Sequence, residues 1–462
     1  MQGLSRRLSG LEFFTFGFGT MVGVGWVVLM DDWLGRGGPA GAAFAFLAGG
    51  LLLLPIASTY GRLVREIPDA GGEIAYAEGV FPAPLAFAAA WTMVLSYAIV
   101  CPWEAVAVGN LLARLFPWFN ELPLYTVAGK IITAPRVAAG LLLTGAIAGV
   151  NYRGIRLSGV VQNVLTFGLL SLFAIFTALG FIRGNADNLP PLFAQPGTVG
   201  ALLSVLLVLQ VVPYFMTGFE SIGKESEEAR ADFDPRHFRR AITIALIVGL
   251  SFYVIIIVAV CLVFPWKRLV AEHLGTEVAF ARAFSSSALA KVILFAAFLS
   301  LVKIFNGNFV AATRLLHGIS RRGLVHGSLA SIDTRRHTPA MAILLMAVLT
   351  AGAVFLGDAL LVPVTEVGSL AVGVGWLSTC LAFIARARRA GPTWSREGAA
   401  TASIGAVVSL SIIVMKAWPS IPGSFTLPEW IAFSLWSGLG LIFWSLRKRG
   451  AREAPRPKEL QA

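Results

Sequence analysis

Charge is scarce in this chain. Only 13% of its 462 residues are Asp, Glu, Lys or Arg, against about 25% in a soluble globular protein. With 56% hydrophobic residues and a mean hydropathy of +0.76, the composition excludes a soluble domain and fits a polytopic membrane protein. Cysteine is scarcer still. Cys101, Cys261 and Cys380 each lie inside an apolar run and none forms a CxxC pair, so neither a disulfide framework nor a thiolate metal site is supported, and they read as small apolar filler. The five histidines, His237, His273, His317, His326 and His337, fall in or near loops without the spacing of a zinc site. A Walker phosphate loop is missing, which argues against ATP-driven work by this chain. Gly17-Phe18-Gly19 looks like the start of a dinucleotide fingerprint, but it sits inside an apolar run with no strand before it. No cofactor and no metal are expected.

What the chain has in abundance is apolar length. Runs near the twenty or so residues that a span requires fall at 11–34, 40–63, 80–114, 136–151, 158–182, 199–220, 240–264, 288–316, 340–357, 361–385, 399–417 and 427–447, about twelve in all. The expected fold class is therefore all-α and integral to the membrane. The first run stands behind Arg6 and Arg7 and is followed by Asp31 and Asp32 rather than a small-residue cleavage site, so it reads as a retained helix and not a signal peptide. The net charge of +12 raises the question of nucleic acid, and the placement of the basic residues answers it. Arg62, Arg65, Arg153, Arg156, Lys224, Arg321, Arg322, Arg386 and Arg388 fall on alternate connections, while the other set holds chiefly Arg36, Lys130, Arg183, Lys267 and Arg268. This asymmetry sets topology, with the lipid bilayer as partner, no nucleic acid, and both termini on the cytoplasmic side of the cytoplasmic membrane. Residues 1–10 read as a cytoplasmic N-terminus, and the stretch 448–462 as a cytoplasmic tail whose Lys and Arg residues touch anionic headgroups.

Two spans carry breaks. The first places Gly17, Gly19, Gly23 and Gly25 within nine residues, each costing about 1 kcal/mol of helix propensity relative to alanine. In lipid, a break survives only where its freed backbone groups face protein, ligand or a cavity. Gly23-Val24-Gly25 is thus a candidate unwound stretch whose amides and half-helix end would suit a carboxylate, although close packing of helices through small residues gives the same pattern. In the sixth span Pro213 removes a backbone donor and Gly218 loosens the turn beyond it, freeing carbonyls suited to an ammonium or a cation. Paired breaks in the first helix of each half point to a midplane binding site.

Several stretches resemble the amino acid, polyamine and organocation transporter superfamily. Met21-Val22-Gly23-Val24-Gly25 is similar to its first-helix glycine motif, and Ile67-Pro68-Asp69-Ala70-Gly71-Gly72-Glu73-Ile74-Ala75-Tyr76 to the element after its second helix. Asn151-Tyr152-Arg153-Gly154-Ile155 with Gln162-Asn163 resembles the entry to the fifth helix. Gly218-Phe219-Glu220 followed by Glu227-Glu228-Ala229 resembles the sixth, and Asn306-Gly307 through Arg321-Arg322-Gly323 the eighth. The resemblance implies two inverted repeats of five helices, residues 11–182 and 199–385, with 399–447 outside them, helices one and six discontinuous, and access alternating between the two membrane faces. It also implies an amino acid or related amine as cargo, its carboxylate near Gly23, Val24 and Gly25 and its amine near the carbonyls of Tyr214, Phe215 and Met216. Tyr214 takes the place of an aromatic that caps the bound substrate in relatives. Val22, Cys101 and Gly218 complete the expected contacts, and Trp26, a bulky departure just after the glycine motif, is expected to narrow the pocket.

Lys303 stands in the apolar run from Ala290 to Ala312, where a central charge costs about 3 kcal/mol, which demands a partner or a job. Some relatives carry a lysine on helix five in place of a sodium ion; here helix five has no ionisable side chain through Gln162 to Leu170. The resemblance suggests that the Lys303 ammonium fills that place from the opposite wall, and burial would make its protonation sensitive to substrate and conformation, allowing proton coupling. A structural lysine paired permanently with carbonyls or a carboxylate is the plainer reading. Glu104 and Glu220 are the other membrane-depth ionisable groups, the first placed to touch substrate or relay protons, the second more simply a lock on helix-six geometry. Proton-coupled symport of an amino acid is the leading expectation, and exchange without net ion coupling the alternative within the same class. An intramembrane enzyme should cluster its ionisable groups, whereas these three are scattered over three helices. A channel is disfavoured because broken helices at a midplane pocket favour a closed site over a continuous pore.

Overall fold

The computed structural model describes residues 3–357, 361–389 and 396–447, so the expected tail from 448 to 462 lies outside the described residues. Helix α1, Gly10–Met21, starts at Ser9, whose backbone and hydroxyl are held by Glu12 in a capping box. It stops where Val22 turns to an extended backbone, and α2, Gly25–Val28, resumes after residues 22–24. Helix α3, Met30–Glu66, contains a reversal at Gly38 (φ 67°), where a Cβ would stand 2.8 Å from the Ala194 nitrogen, so only glycine turns the chain here. This one continuous stretch, bent at Gly38, follows directly on the broken passage Gly10–Val28.

The chain then runs through α4 (Glu73–Ala77), α5 (Ala83–Ala98) and α6 (Val100–Leu115) into a small antiparallel hairpin, β1 (Pro123–Val127) and β2 (Lys130–Thr133). Next come α7 (Ala134–Arg153), α8 (Ile155–Arg183), and the fragments α9 (Gly197–Leu209), α10 (Val212–Met216) and α11 (Ile222–Glu225). After them lie α12 (Arg236–Val263), the short α13 (Trp266–Ala271) and α14 (Thr276–Ala283), α15 (Ser287–Arg321), α16 (Ala340–Val354), α17 (Leu361–Arg389), α18 (Arg396–Ala417) and α19 (Leu427–Ser445). Among the described residues, nine helical passages are long and apolar enough to cross a membrane, and α9 and α16 are shorter apolar helices. The molecule is an all-α, multi-pass membrane protein.

Helix α1 runs through the middle of the bundle, packed on α8, α12 and α15, and every residue from Thr15 to Met21 is buried. The outer helices present Leu142, Val164, Val199, Val407 and Leu435 outward, as a surrounding bilayer requires. Polar side chains inside the bundle are spent on fixing neighbours. Asn306 of α15 accepts from Asn151 and Ser158, both at 3.0 Å, and donates to Gln162 at 2.9 Å, tying α15 to α7 and α8. Asn163 bridges Thr15 (2.5 Å) and Glu12 (2.9 Å), tying α8 to α1.

Candidate functional site

The two interrupted helices meet at their breaks. Gly218 follows α10 with φ 129°, and a Cβ there would stand 2.6 Å from both the Met21 nitrogen and the Thr20 carbonyl carbon, so backbone lies directly on backbone. On the sixth span, Glu220 holds the bend: its carboxylate accepts from the Gly218 amide at 2.9 Å, from Thr217 at 2.7 Å and from Tyr97 at 3.1 Å.

The carbonyls freed at the end of α1 are taken by side chains from α12 and α15. The Lys303 ammonium donates to Val22 (2.5 Å) and Gly19 (3.2 Å) and lies 4.9 Å from the centre of the Phe18 ring. Ser300 donates to Gly23 (2.7 Å) and Val22 (3.1 Å), Asn308 to Thr20 (3.2 Å) and Tyr253 to Met21 (3.3 Å). A fully buried cation thus sits at the negative end of a half-helix, where its charge and the helix dipole attract.

Around this junction lies a cavity of about 10 Å³, the room of about one water molecule. Gly23, Val24, Gly25, Glu104, Tyr214 and Phe215 line it together with Val100, Trp103, Thr217 and Ile304. The Glu104 Oε1 is 3.1 Å from where a Gly23 Cβ would be, its Oε2 is buried without a hydrogen-bond partner, and Lys303 is the cation within electrostatic reach of it. The remaining expected contacts lie elsewhere. Val22 offers its carbonyl to Lys303, Cys101 points its thiol at the Tyr97 carbonyl (3.6 Å), and Met216 and Gly218 belong to the backbone of the break. Trp26 corrects an expectation: its ring stacks on Phe176 and meets Phe252 edge-on and does not line the cavity, so it fills space between helices rather than narrowing the pocket. Trp103 was missed, although Val100, Trp103 and Glu104 share one helix face by their spacing.

The two ends of the bundle differ. At one end a vestibule of about 430 Å³ is bordered by Asp31, Asp32, Arg36, Arg114 and Glu366, and it shares Val24, Trp103 and Phe215 with the small cavity, so these three side chains form the partition. At the other, basic end the way is filled with ion pairs. Arg314 holds Glu228 at 3.0 Å and Lys224 holds Glu73, all four side chains being fully buried. Arg321 reaches Glu227 (2.8 Å) and Asp69 (2.9 Å), and Arg322 reaches Glu78 (2.9 Å) and Asp69 (3.1 Å). Burial pushes the Asp69 carboxyl up, but the guanidinium groups of Arg322 and Arg321 outweigh it and hold it below the usual carboxylate range. None of these pairs was foreseen as a unit, though the run Lys224-Glu225-Ser226-Glu227-Glu228 closing an apolar span was a visible signal.

Among known proteins, a family model described as amino acid permease matches residues 8–444. The methylthioribose transporter of Bacillus subtilis is 24% identical over 459 residues, 96% of this chain and 94% of that one. The branched-chain amino acid permease of the same organism is 23% identical, covering 95% of this chain and 87% of its own. The human cystine/glutamate transporter is 27% identical, covering 77% and 69%.

Proposed function

The chain belongs to the amino acid permease family of transporters, and we propose that it is a secondary active transporter that moves an amino acid or a related amine by alternating access. The observation that carries this reading is the meeting of two helix breaks at a closed cavity, lined by Gly23, Val24 and Gly25 from one break and by Tyr214, Phe215 and Thr217 from the other. Amides suit a carboxylate and carbonyls an ammonium, so one zwitterion satisfies both ends. Twelve spans arranged as two inverted repeats, 11–182 and 199–385, with 399–447 outside, account for the position of both breaks at the start of a half. The basic end faces the cytoplasm together with both termini, in the cytoplasmic membrane.

A cavity of about 10 Å³ holds no amino acid, so the described state is closed over its site. Cargo enters when Trp103 and Phe215 swing away from Val24. Proton coupling rests on Lys303, whose ammonium takes the place of a sodium ion against the α1 carbonyls, with Glu104 as the carboxyl across the cavity. Loss of the Lys303 proton would release the break in α1 and let it move. Exchange without net ion coupling is the second reading, and one observation favours it: the hydrogen bonds of Lys303 go to backbone carbonyls, which a permanently charged strut would also choose.

Uptake of radiolabelled amino acids and amines into proteoliposomes, with wild type and Lys303→Ala, separates these readings. Stimulation by an inward proton gradient that disappears in the variant supports symport through Lys303. Uptake that ignores the gradient and requires cargo preloaded inside makes the protein an exchanger.

A further inference from the structure

Glu225, the last residue of α11, is fully buried in the closed basic end, and no cation is hydrogen-bonded to either of its carboxyl oxygens. Its surroundings are charged but committed elsewhere. Arg314 of α15 spends its Nε and one terminal nitrogen on Glu228 (3.0 and 3.2 Å) and the other terminal nitrogen on Thr313 (3.1 Å). Lys224 is bonded to Glu73 and to the Glu220 carbonyl (3.2 Å). Ser221, one turn back, is the neutral donor facing Glu225, and its hydroxyl also lies 3.5 Å from that of Thr20. Glu228, three residues on, adds a like charge. Of the other elements packed on α11, α1 meets it through Gly17 against Ile222 and α3 through Val64 against Gly223, while α4 brings the Glu73 carboxylate to Lys224 and the Tyr76 hydroxyl to Gly223, and the turn before α11 carries the buried Glu220.

Two cations here face four buried carboxyls: Lys224 is paired with Glu73 and Arg314 with Glu228, and Glu220 is held by the Gly218, Thr217 and Tyr97 donors, which leaves Glu225 as the one with neither a cation nor a set of donors. An ionised carboxylate with no cation of its own in such a place is strongly destabilising, and a single proton removes the charge. We infer that Glu225 is a proton-binding site of the basic-end gate, carrying a proton while that end is closed and giving it up to water when α11 parts from α15. In that step the O–H bond of the carboxyl breaks, its electron pair stays on the carboxylate, and the proton passes to water admitted by the opening. The inference rests on the alternating-access reading. It adds a second titratable group, at the basic end, that takes a proton from water on the basic side as that end closes and returns it there on opening.

The test needs no cargo, so its failure is distinct from a failure of the transport reading. Hydrogen exchange of the segment 219–228 in the purified full chain is followed in wild type and in Glu225→Gln, a neutral shape-mimic of the protonated form, at about pH 5.5 and about pH 8. Comparison at equal pH cancels the intrinsic chemistry of exchange. The expected result is equal exchange at the lower pH and, at the higher, about tenfold faster exchange in wild type than in the variant, because only wild type can ionise and open. Equal exchange at both values, or faster exchange in the variant at both, overturns the inference. Thermal melting of Glu225→Gln and Glu225→Met at the lower pH provides the second arm. A residue that is neutral in the closed state tolerates both replacements with little change in Tm. Failure of both to fold shows that the carboxylate was a structural charge and also overturns it.

Discussion

The two ends of this bundle are shut by different physics. At the vestibule end three side chains, Val24, Trp103 and Phe215, stand between open space and the central cavity. At the basic end the closure is deep and ionic, with Lys224–Glu73 and Arg314–Glu228 wholly buried and Asp69 shared by Arg321 and Arg322 nearer the surface. Aromatic packing is non-directional and can be undone one rotamer at a time. Buried ion pairs are all-or-none, because parting one partner strands the other in a low-dielectric interior. The bundle thus carries a light closure on one side and a latched one on the other.

The comparison is broken most severely at the latch. Arg314→Ala leaves Glu228 buried without its cation and should destabilise the closed state by about 3–5 kcal/mol, seen as a collapse of the thermal transition in detergent. The double change Arg314→Met with Glu228→Leu should recover most of that loss. Gly218→Ala drives a methyl to 2.6 Å from the α1 backbone at a φ of 129°, so transport should fall below detection even where the protein is recovered from the membrane. At the light door, Phe215→Ala removes one wall of the partition. It should cost about 3 kcal/mol, the low end for an aromatic truncation because Phe215 already borders empty space, and it should speed reaction of a cysteine placed at Val24 with a small polar thiol reagent.

Acid sharpens the difference more gently. The Asp69 carboxyl is held below its ordinary value in the folded protein, so its stabilisation of the basic end is complete above the unfolded value, about 4, and is lost as pH falls below it. Hydrogen exchange of residues 66–78 should therefore rise in strong acid while that of the vestibule partition does not. The smallest effect is expected at Trp26. Because its ring packs between α8 and α12, Trp26→Phe should leave cargo affinity within about twofold of wild type, measured by competition for uptake.

Much of this was legible in one dimension. Glycines at 23 and 25 and the pair Pro213 and Gly218 mark stretches where a helix cannot continue at low cost, and the backbone leaves helical geometry at 22–24 and at 217–218. Lys303 announced itself because a lysine in an apolar run has to be answered. Trp26 misled because adjacency to a glycine motif says nothing about direction: beyond the break the helix resumes with a rotation that no local rule supplies. Glu225 was passed over because its run of charges looks like any solvated helix end until α15 closes over it and Arg314 turns to Glu228 instead.

The sequence by itself determined the solvent, the helical class and the family, because scarce charge, long apolar runs and helix-breaking residues act locally and need no partner to be read. Tertiary structure alone decided which charges are answered and which are left over. Whether Lys303 meets carbonyls, whether Glu225 meets a cation, and which end of the bundle is latched depend on side chains hundreds of residues apart arriving within about 3 Å of one another, the range over which hydrogen bonds act.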